Sequence, residues 1–489
     1  MRGNPLVEGA MCGDWRLRTS GVVYKPLAGV RAAVRGRVDN LSFTTNRPHR
    51  PHRQRLPRGM NPHSQSPVTA GRRAAHRRLI RAAAIADAAG TLAAPGAVLI
   101  EDGRIVASGS PQSIGSAGDA GDAMEEVLPG EIVIPALVNA HAHLDLTHMG
   151  PQPQTGDFAA WVDRVRSGRA RSPEAIAASV REGIRLSRAG GTAIVGDIAG
   201  VRSIVPTQTL RDAGMAAVSY LEVFGIGNTQ AATIEFLKAA TASQPGIDAG
   251  VRFGLQPHAP YSCGPDVYRA VAAMGLPLST HLAETRDELE FVASATGPLA
   301  DMLGRIGVWD DSITGFGRHS IDHITNLLGD HPLLAAHLNY LDDRHVELLA
   351  RRKITVAYCP RASAYFGHVN HRYRDMLAAG VNVALGTDSI LCLGTADRIS
   401  VLDEMRLLHR RDATDPMTLL AMTTINGARV LGTRESLVTL KPGESAGLLA
   451  LPVGDAPTSA HEAMVQAMKR DDPPRWVLGP IAGRNEWFQ

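Results

Sequence analysis

The sequence predicts an α/β protein: a (β/α)₈ barrel, a small β-sandwich domain formed from both chain ends, and a disordered basic N-terminal extension. Three observations predict it. Over residues 134–436, short apolar runs alternate with longer Ala/Arg/Glu-rich amphipathic stretches, which implies parallel strands joined by helices. Strand-like segments flank that region on both sides. A Pro/Arg/His-rich head precedes everything else. A doubly wound open sheet is the competing fold, and the polar residues at the ends of the apolar runs decide between them.

Residues 1–75 read as the disordered extension. Arg47–Arg58 interleaves Pro, Arg and His with no apolar periodicity, so it cannot bury enough surface to offset its ordering entropy. From Met1 to Arg81 there are 17 Lys or Arg against 3 Asp or Glu, a charge of +14, and the remainder carries −11. The chain is thus an acidic body behind a basic head. A nucleic-acid or membrane-surface arm and a solvated tail are the two readings of that head. No aromatic residues interleave with the charge of Arg47–Arg58, which favours the tail. Met60 is a plausible true start.

Residues 76–133 form the first part of the small β-domain. Leu79–Ala86 and Gly96–Gly109 read as strands, with Asp102-Gly103 as a hairpin turn. Residues 134–436 form the barrel; about 300 residues suit eight strand–helix units. Its apolar runs begin at Glu131, Thr192, Val251, Leu276, Leu333, Ile354 and Val381. Residues 437–489 hold a strand over Glu444–Pro452, the second part of the β-domain, and a tail.

Composition excludes several classes. Aromatic residues make up 4% of the chain, too few for a stacking surface on nucleic acid or sugar. Cys12, Cys263, Cys359 and Cys392 show no CxxC spacing, so neither a zinc ribbon nor a disulfide framework is expected. No apolar run reaches the length of a membrane span, and the first 20 residues lack a secretory apolar region. The expected setting is cytoplasmic. The expected partner is a small-molecule substrate, with no membrane; a homo-oligomer is compatible with the sequence, and nucleic acid is disfavoured.

The apolar runs end in metal-binding or proton-moving residues: Asn139-Ala-His141-Ala-His143, Gln256-Pro-His258, Thr280-His281-Leu-Ala-Glu284, Ala336-His337 and Gly386-Thr-Asp388. Strand C-termini converge on one face of a barrel, where active sites sit. His141 and His143 are two apart, so on a strand they point the same way. A lone HxH is often only loop histidine; four further strand ends make it a ligand pair. His281 and Asp388 complete a set that suits one divalent ion, Zn²⁺ or alternatively Fe²⁺, with a position left for water. Glu284 is then the proton carrier rather than a dipole-complementing helix start, and Asp388 shares the base role. His337 can stabilise developing charge; its bland reading is a buried histidine satisfied by backbone.

These residues resemble the amidohydrolase superfamily, in the mononuclear branch that holds adenosine- and cytosine-type deaminases and triazine chlorohydrolases. The resemblance covers most of residues 78–455. It rests on Ile134–His143, Gln256–Ser262, His281-Leu-Ala-Glu284, His337, Cys359-Pro360, Leu385–Ser389 and Thr424–Arg429. It implies His141, His143, His281 and Asp388 as metal ligands, Glu284 and His337 in proton transfer and water orientation, and His258 in substrate contact. No lysine ends the strand-four run, so a carbamylated two-metal site is not implied. After strand seven the family often reads His-Cys-Pro-x-Ser-Asn; here the segment is Tyr358-Cys359-Pro360-Arg361-Ala362-Ser363-Ala364, with His368 beyond. Arg361 and His368 are therefore candidate substrate contacts, with a surface salt bridge the equal alternative for Arg361; Trp161 is a candidate lid residue whose bland and favoured reading is packing. The expected reaction is deamination of an amino-substituted heterocycle by metal-activated water. The same site could open a cyclic amide or imidazolone, or displace a halide. A nucleic-acid binder working through the basic head is the rival of another class.

Overall fold

The computed structural model describes residues 76–115, 122–154, 156–352 and 354–489. The extension expected over 1–75, and Met60 within it, lie outside the described residues.

Among the described residues the strands in chain order are β1 Arg77–Ala86, β2 Leu92–Ala93, β3 Gly96–Glu101, β4 Arg104–Gly109, β5 Met124–Pro135, β6 Leu137–Ala142, β7 Thr192–Val201, β8 Ala216–Val223 and β9 Ile247–Asp248. They continue as β10 Val251–Pro257, β11 Ser279–Leu282, β12 Leu334–His337, β13 Thr355–Tyr358, β14 Val383–Leu385, β15 Gly443–Glu444, β16 Leu448–Pro452 and β17 Arg475–Leu478.

Both ends of the chain enter one eight-stranded sheet, ordered β15-β4-β3-β1-β5-β16-β17, with β2 paired to β1. The expected hairpin is present. Asp102 (φ 49°) and Gly103 (φ 79°) both take the left-handed conformation that a tight two-residue turn between β3 and β4 requires. The apolar run at Glu131 was expected among the parallel strands. It forms the end of β5 in the flanking sheet, where Val133 faces Ile85 of β1 in parallel and Ile134 faces Leu449 of β16 antiparallel. The reason is alternation: Ile132 and Ile134 point into the central core while Val133 joins Ile80, Val98 and Leu448 on the opposite face. The tail is also tied down, with Trp487 buried and Thr433 bridged to Phe488.

The middle of the chain forms two further sheets, β6-β7-β8-β10-β9 and β11-β12-β13-β14. Apart from the short β9, the pairs in both are parallel. The two sheets meet at both edges. Leu255 of β10 bridges Leu278 just before β11, and Ala142 of β6 bridges Asp388 just after β14. The joined sheet therefore curls, and helices such as Pro173–Ala189, Pro265–Ala273 and Val401–Asp412 follow its strands. Strands buried on both faces read as continuous apolar runs; β6, β8, β11 and β12 are buried at every residue.

Candidate metal centre and active site

The C-terminal ends of the parallel strands carry the chemistry. His141 lies in β6 and His143 one residue beyond it. His281 lies in β11 and His337 closes β12; Asp388 follows β14. Ring nitrogens of His141, His143 and His281 all lie within 4.8 Å of one another, and so do the ligand atoms of Glu284, His337 and Asp388. The two groups are joined: His143 Nε2 is 3.3 Å from His281 Nε2 and 3.4 Å from Asp388 Oδ1. His337 Nε2 is 3.6 Å from Glu284 Oε1.

Local backbone explains the aim of these groups. Ala283, His337 and Asp388 have φ of 47°, 73° and 59°, a left-handed conformation uncommon outside glycine. At three strand ends the chain turns sharply just where a site residue must point inward, and such strained residues collect at functional sites. The β6 and β14 ends are locked together by Asn139, whose amide donates to Thr387 Oγ1 (2.8 Å) and accepts from Thr387 N–H (3.2 Å). Thr387 and Asp388 N–H both donate to His141 O. Gly386 permits this approach, since a Cβ there would sit 2.8 Å from His141 Cβ and 2.9 Å from its carbonyl oxygen.

The imidazoles suit a cation. His281 Nδ1 is 2.9 Å from the His258 carbonyl oxygen. A carbonyl only accepts, so Nδ1 carries the hydrogen and Nε2 keeps its lone pair for a ligand. Both ring nitrogens of His141 and Nδ1 of His143 are buried without a hydrogen-bond partner. Orphaned buried nitrogens are costly, and a bound cation would satisfy one on His141. Burial pushes the pKa values of His141 and His143 well below the ordinary range, with neighbouring histidines adding. They are therefore neutral, the form that binds metal.

Burial raises Glu284 well above the usual carboxylate range, and Asp388 and Glu288 push it further. Asp388 is raised to about 7 by burial, against the opposing hydrogen bond from Ser389 N–H. Glu288 holds the turn, its carboxylate accepting from Ala283 N–H (2.8 Å) and Glu284 N–H (3.0 Å). Asn339 secures it from the other side by donating to Glu284 O (3.0 Å). The His337 carbonyl accepts from His371 Nε2 (2.7 Å).

The expected substrate contacts divide. His258 sits against His281, with ring centroids 4.8 Å apart; it stacks on Phe224, and its Nδ1 meets Ser262 Oγ at 2.7 Å. Trp161 packs on Tyr365 and Phe366, with centroids 5.3 and 5.4 Å away. Phe158 joins them through Phe366 and Tyr261. These rings form one aromatic cluster that includes the helix Phe158–Gly168. His368 bonds the Tyr340 hydroxyl through Nδ1 (2.8 Å) and lies 6.0 Å from the Phe366 ring. Arg361 takes up the ion-pair alternative. Its Nε donates to Glu404 (2.6 Å), its Nη2 donates to Ser400 O (2.9 Å), and its backbone N–H also donates to Glu404. Its guanidinium pairs with a buried carboxylate.

Sequence reading missed Glu222, Asp145, Asp197 and Arg169. Arg169 Nη1 lies 3.1 Å from both Asp145 Oδ2 and Glu222 Oε2, and Glu222 falls within 4.8 Å of ligand nitrogens of His258 and His281. The available signal was the run Ala216–Val223, an apolar strand with an acid at its penultimate position.

Histidines and carboxylates gathered at one edge of a curled parallel sheet, around unsatisfied ring nitrogens, define a metal-dependent hydrolase site. The amidohydrolase family model matches residues 132–482, and this chain belongs to that family. It is similar to the 5-methylthioadenosine/S-adenosylhomocysteine deaminase of Moorella thermoacetica, 28% identical over 390 residues, covering 76% of this chain and 84% of the relative. It is also similar to the 5′-deoxyadenosine deaminase of Methanothermobacter thermautotrophicus, 28% identical over 372 residues, covering 73% and 80%. Among solved structures, Helicobacter pylori aminofutalosine deaminase superposes with a TM-score of 0.65 at 20% identity, covering 82% of this chain and 98% of that one. The zinc complex of an Arthrobacter aurescens atrazine chlorohydrolase gives 0.64 at 21%, covering 83% and 95%. These two likenesses speak to the fold.

Proposed function

We propose that this chain is a metal-dependent deaminase of an amino-substituted heterocycle of the adenosine type. The observation that carries the reading is the convergence of three neutral imidazoles and Asp388, with the Glu284–His337 pair alongside. The names of the deaminase relatives support the substrate class. His141, His143, His281 and Asp388 hold one divalent ion, with zinc preferred to iron for this imidazole and carboxylate set. When bound, the cation lowers the pKa of water from 15.7 toward about 7 and so supplies a nucleophile at neutral pH.

The chain's own residues do the rest. Glu284 accepts a proton from the attacking water and delivers it to the ring nitrogen beside the reacting carbon. The remaining proton of that water passes from the added hydroxyl by way of Glu284 to the exocyclic nitrogen; the carbon–nitrogen bond breaks, ammonia leaves, and the oxygen remains as the new carbonyl. A carboxyl held high in pKa by burial is suited to carry protons both ways. His337 donates to the oxygen as charge develops, and Asp388 shares the base role. His258, Trp161 and His368 contact the substrate.

The fold serves the same reading. We assign β6, β7, β8, β10, β11, β12, β13 and β14 to one closed (β/α)₈ barrel spanning 134–436. The strands of 76–133 and 437–489 form the small sandwich domain, and 1–75 the basic extension. Among the described residues no helix is long and apolar enough to cross a membrane. The buried free thiols of Cys263, Cys359 and Cys392 suit the reducing cytoplasm.

The test is ammonia release from a panel of adenine- and cytosine-type nucleosides and bases by zinc-loaded protein. Ammonia from an adenosine-type member, abolished by chelation, is expected. No release from any member, with zinc bound stoichiometrically, would overturn the substrate class.

A further inference from the structure

Beside the metal ligands lies a buried charge imbalance that the reaction described above does not use. Asp145, Asp197 and Glu222 are all fully or nearly fully buried. Asp145 follows β6, Asp197 lies in β7 and Glu222 in β8. Among the described ion pairs, the cation set against them is Arg169, which bridges Asp145 and Glu222 at 3.1 Å each. Asp145 and Glu222 thus share one guanidinium, with the Asp197 carboxyl buried nearby. Glu222 is wholly buried, and neither of its carboxylate oxygens has a hydrogen-bond partner, Oε2 being held only by the ion pair with Arg169, a costly state for a carboxylate.

Glu222 is aimed at the reacting region, within 4.8 Å of nitrogens of His258 and His281. A second cation on Glu222, His258 and His281 does not fit. His281 Nδ1 is committed to the His258 carbonyl, and its Nε2 already faces His143 Nε2 at 3.3 Å. One lone pair cannot serve two ions. What does fit is a hydrogen-bond donor carried by the substrate.

We propose that Glu222, anchored by Arg169 and backed by Asp145, is the specificity-determining acceptor of the pocket and binds a donor-bearing group of the substrate close to the reacting carbon. Arg169 fixes one carboxylate oxygen and leaves the other for the ligand. The ligand chemistry is a cluster of O–H or N–H donors, as in a vicinal diol or a cationic amidine. The inference rests on the deaminase reading for the identity of the pocket, but its test is binding rather than turnover.

Calorimetric titration of the zinc-loaded full chain compares two pairs of ligands that carry no heterocyclic amine to lose: inosine with 2′,3′-dideoxyinosine, and benzamidine with benzamide. The wild-type protein should prefer the donor-bearing member of one pair by about tenfold or more, and Glu222→Gln should reduce that preference to about twofold or less. Zinc content and affinity for the donor-poor member should stay unchanged, which a merely structural role would not give. The preferred pair distinguishes diol from cation. Wild-type indifference within both pairs overturns the proposal. So does a preference that survives in Glu222→Gln and Glu222→Ala. Absence of ammonia release from heterocycles would count against the deaminase reading while these binding ratios stay readable.

Discussion

His281 shows how single atoms are set for ligation at the residue scale. Its Nδ1 hydrogen is taken by a carbonyl, which fixes the tautomer and turns Nε2 toward His143. Glu284 is set in a similar way, its backbone held by Glu288 and Asn339 so that the carboxylate faces His337. Glu284→Gln keeps the shape and removes the proton carrier. It should retain full zinc content and lose about 10²–10⁴-fold in kcat; near-normal turnover would refute the role given to Glu284. Gly386→Ala should fail differently. The new Cβ meets His141, so we expect a stability loss of about 1–3 kcal/mol from overpacking together with weaker zinc binding, read by denaturant melts and chelator competition.

Much of this layer was legible in the sequence. His141 and His143 are two apart on a strand and must share a face; His281 and Glu284 straddle a strand end. Glu222 and Arg169 were not legible, because their meaning lies in a contact between segments more than fifty residues apart. No local spacing encodes such a contact. Arg361 misled for the complementary reason: its position after β13 suggested the pocket, while its partner Glu404 lies 43 residues away.

Elements turn those residues toward one another. Left-handed residues end β12 and follow β11 and β14, and a helix follows each bend. Arg361 and Glu404 pin two helices, Pro360–Tyr365 after β13 and Val401–Asp412 after β14. Glu404 is wholly buried, so Arg361→Met leaves a carboxylate unpaired. We expect about 3–5 kcal/mol of destabilisation in urea melts, with zinc stoichiometry and substrate affinity of the folded fraction unchanged. A selective loss of substrate affinity would restore Arg361 to the pocket.

Asp197 makes a prediction about pH. Burial raises it to about 8, against the opposing hydrogen bond from Leu144 N–H. Its folded value lies above the unfolded one. The folded state therefore holds the extra proton between the two, and stability falls as pH rises from about 4 to about 8. Asp197→Asn should remove about 1.4 kcal/mol per pH unit of that slope in chelator-treated protein; an unchanged slope would show that Asp197 is ionised in the fold. At this scale the sequence revealed most parallel strands through their apolar runs. It did not reveal β8, since Ala216–Val223 carries a serine and a glutamate inside an otherwise apolar segment.

The whole molecule joins distant parts of the chain. The β1–β5 pairing and the antiparallel β16 bring residues near 80, 130 and 450 into one sheet, while the parallel strands close on each other through Leu255–Leu278 and Ala142–Asp388. That both flanks form one β-unit was readable from their strand content; which strand lies beside which was not, because pairing register is set by long-range packing. A cation held by β6, β11 and the residue after β14, as proposed, would tie the two parallel sheets together. At a free concentration one hundred times the dissociation constant it should stabilise the fold by about 2.7 kcal/mol, visible as a higher melting temperature that chelation reverses.

The most direct measurement is zinc stoichiometry by elemental analysis on purified wild-type, His281→Ala and Asp388→Ala proteins dialysed against a trace of the metal. About one ion per wild-type chain and clear loss in both variants are the results this account predicts. A wild-type chain that stays metal-free, or variants that bind as much zinc as the wild type, would contradict it.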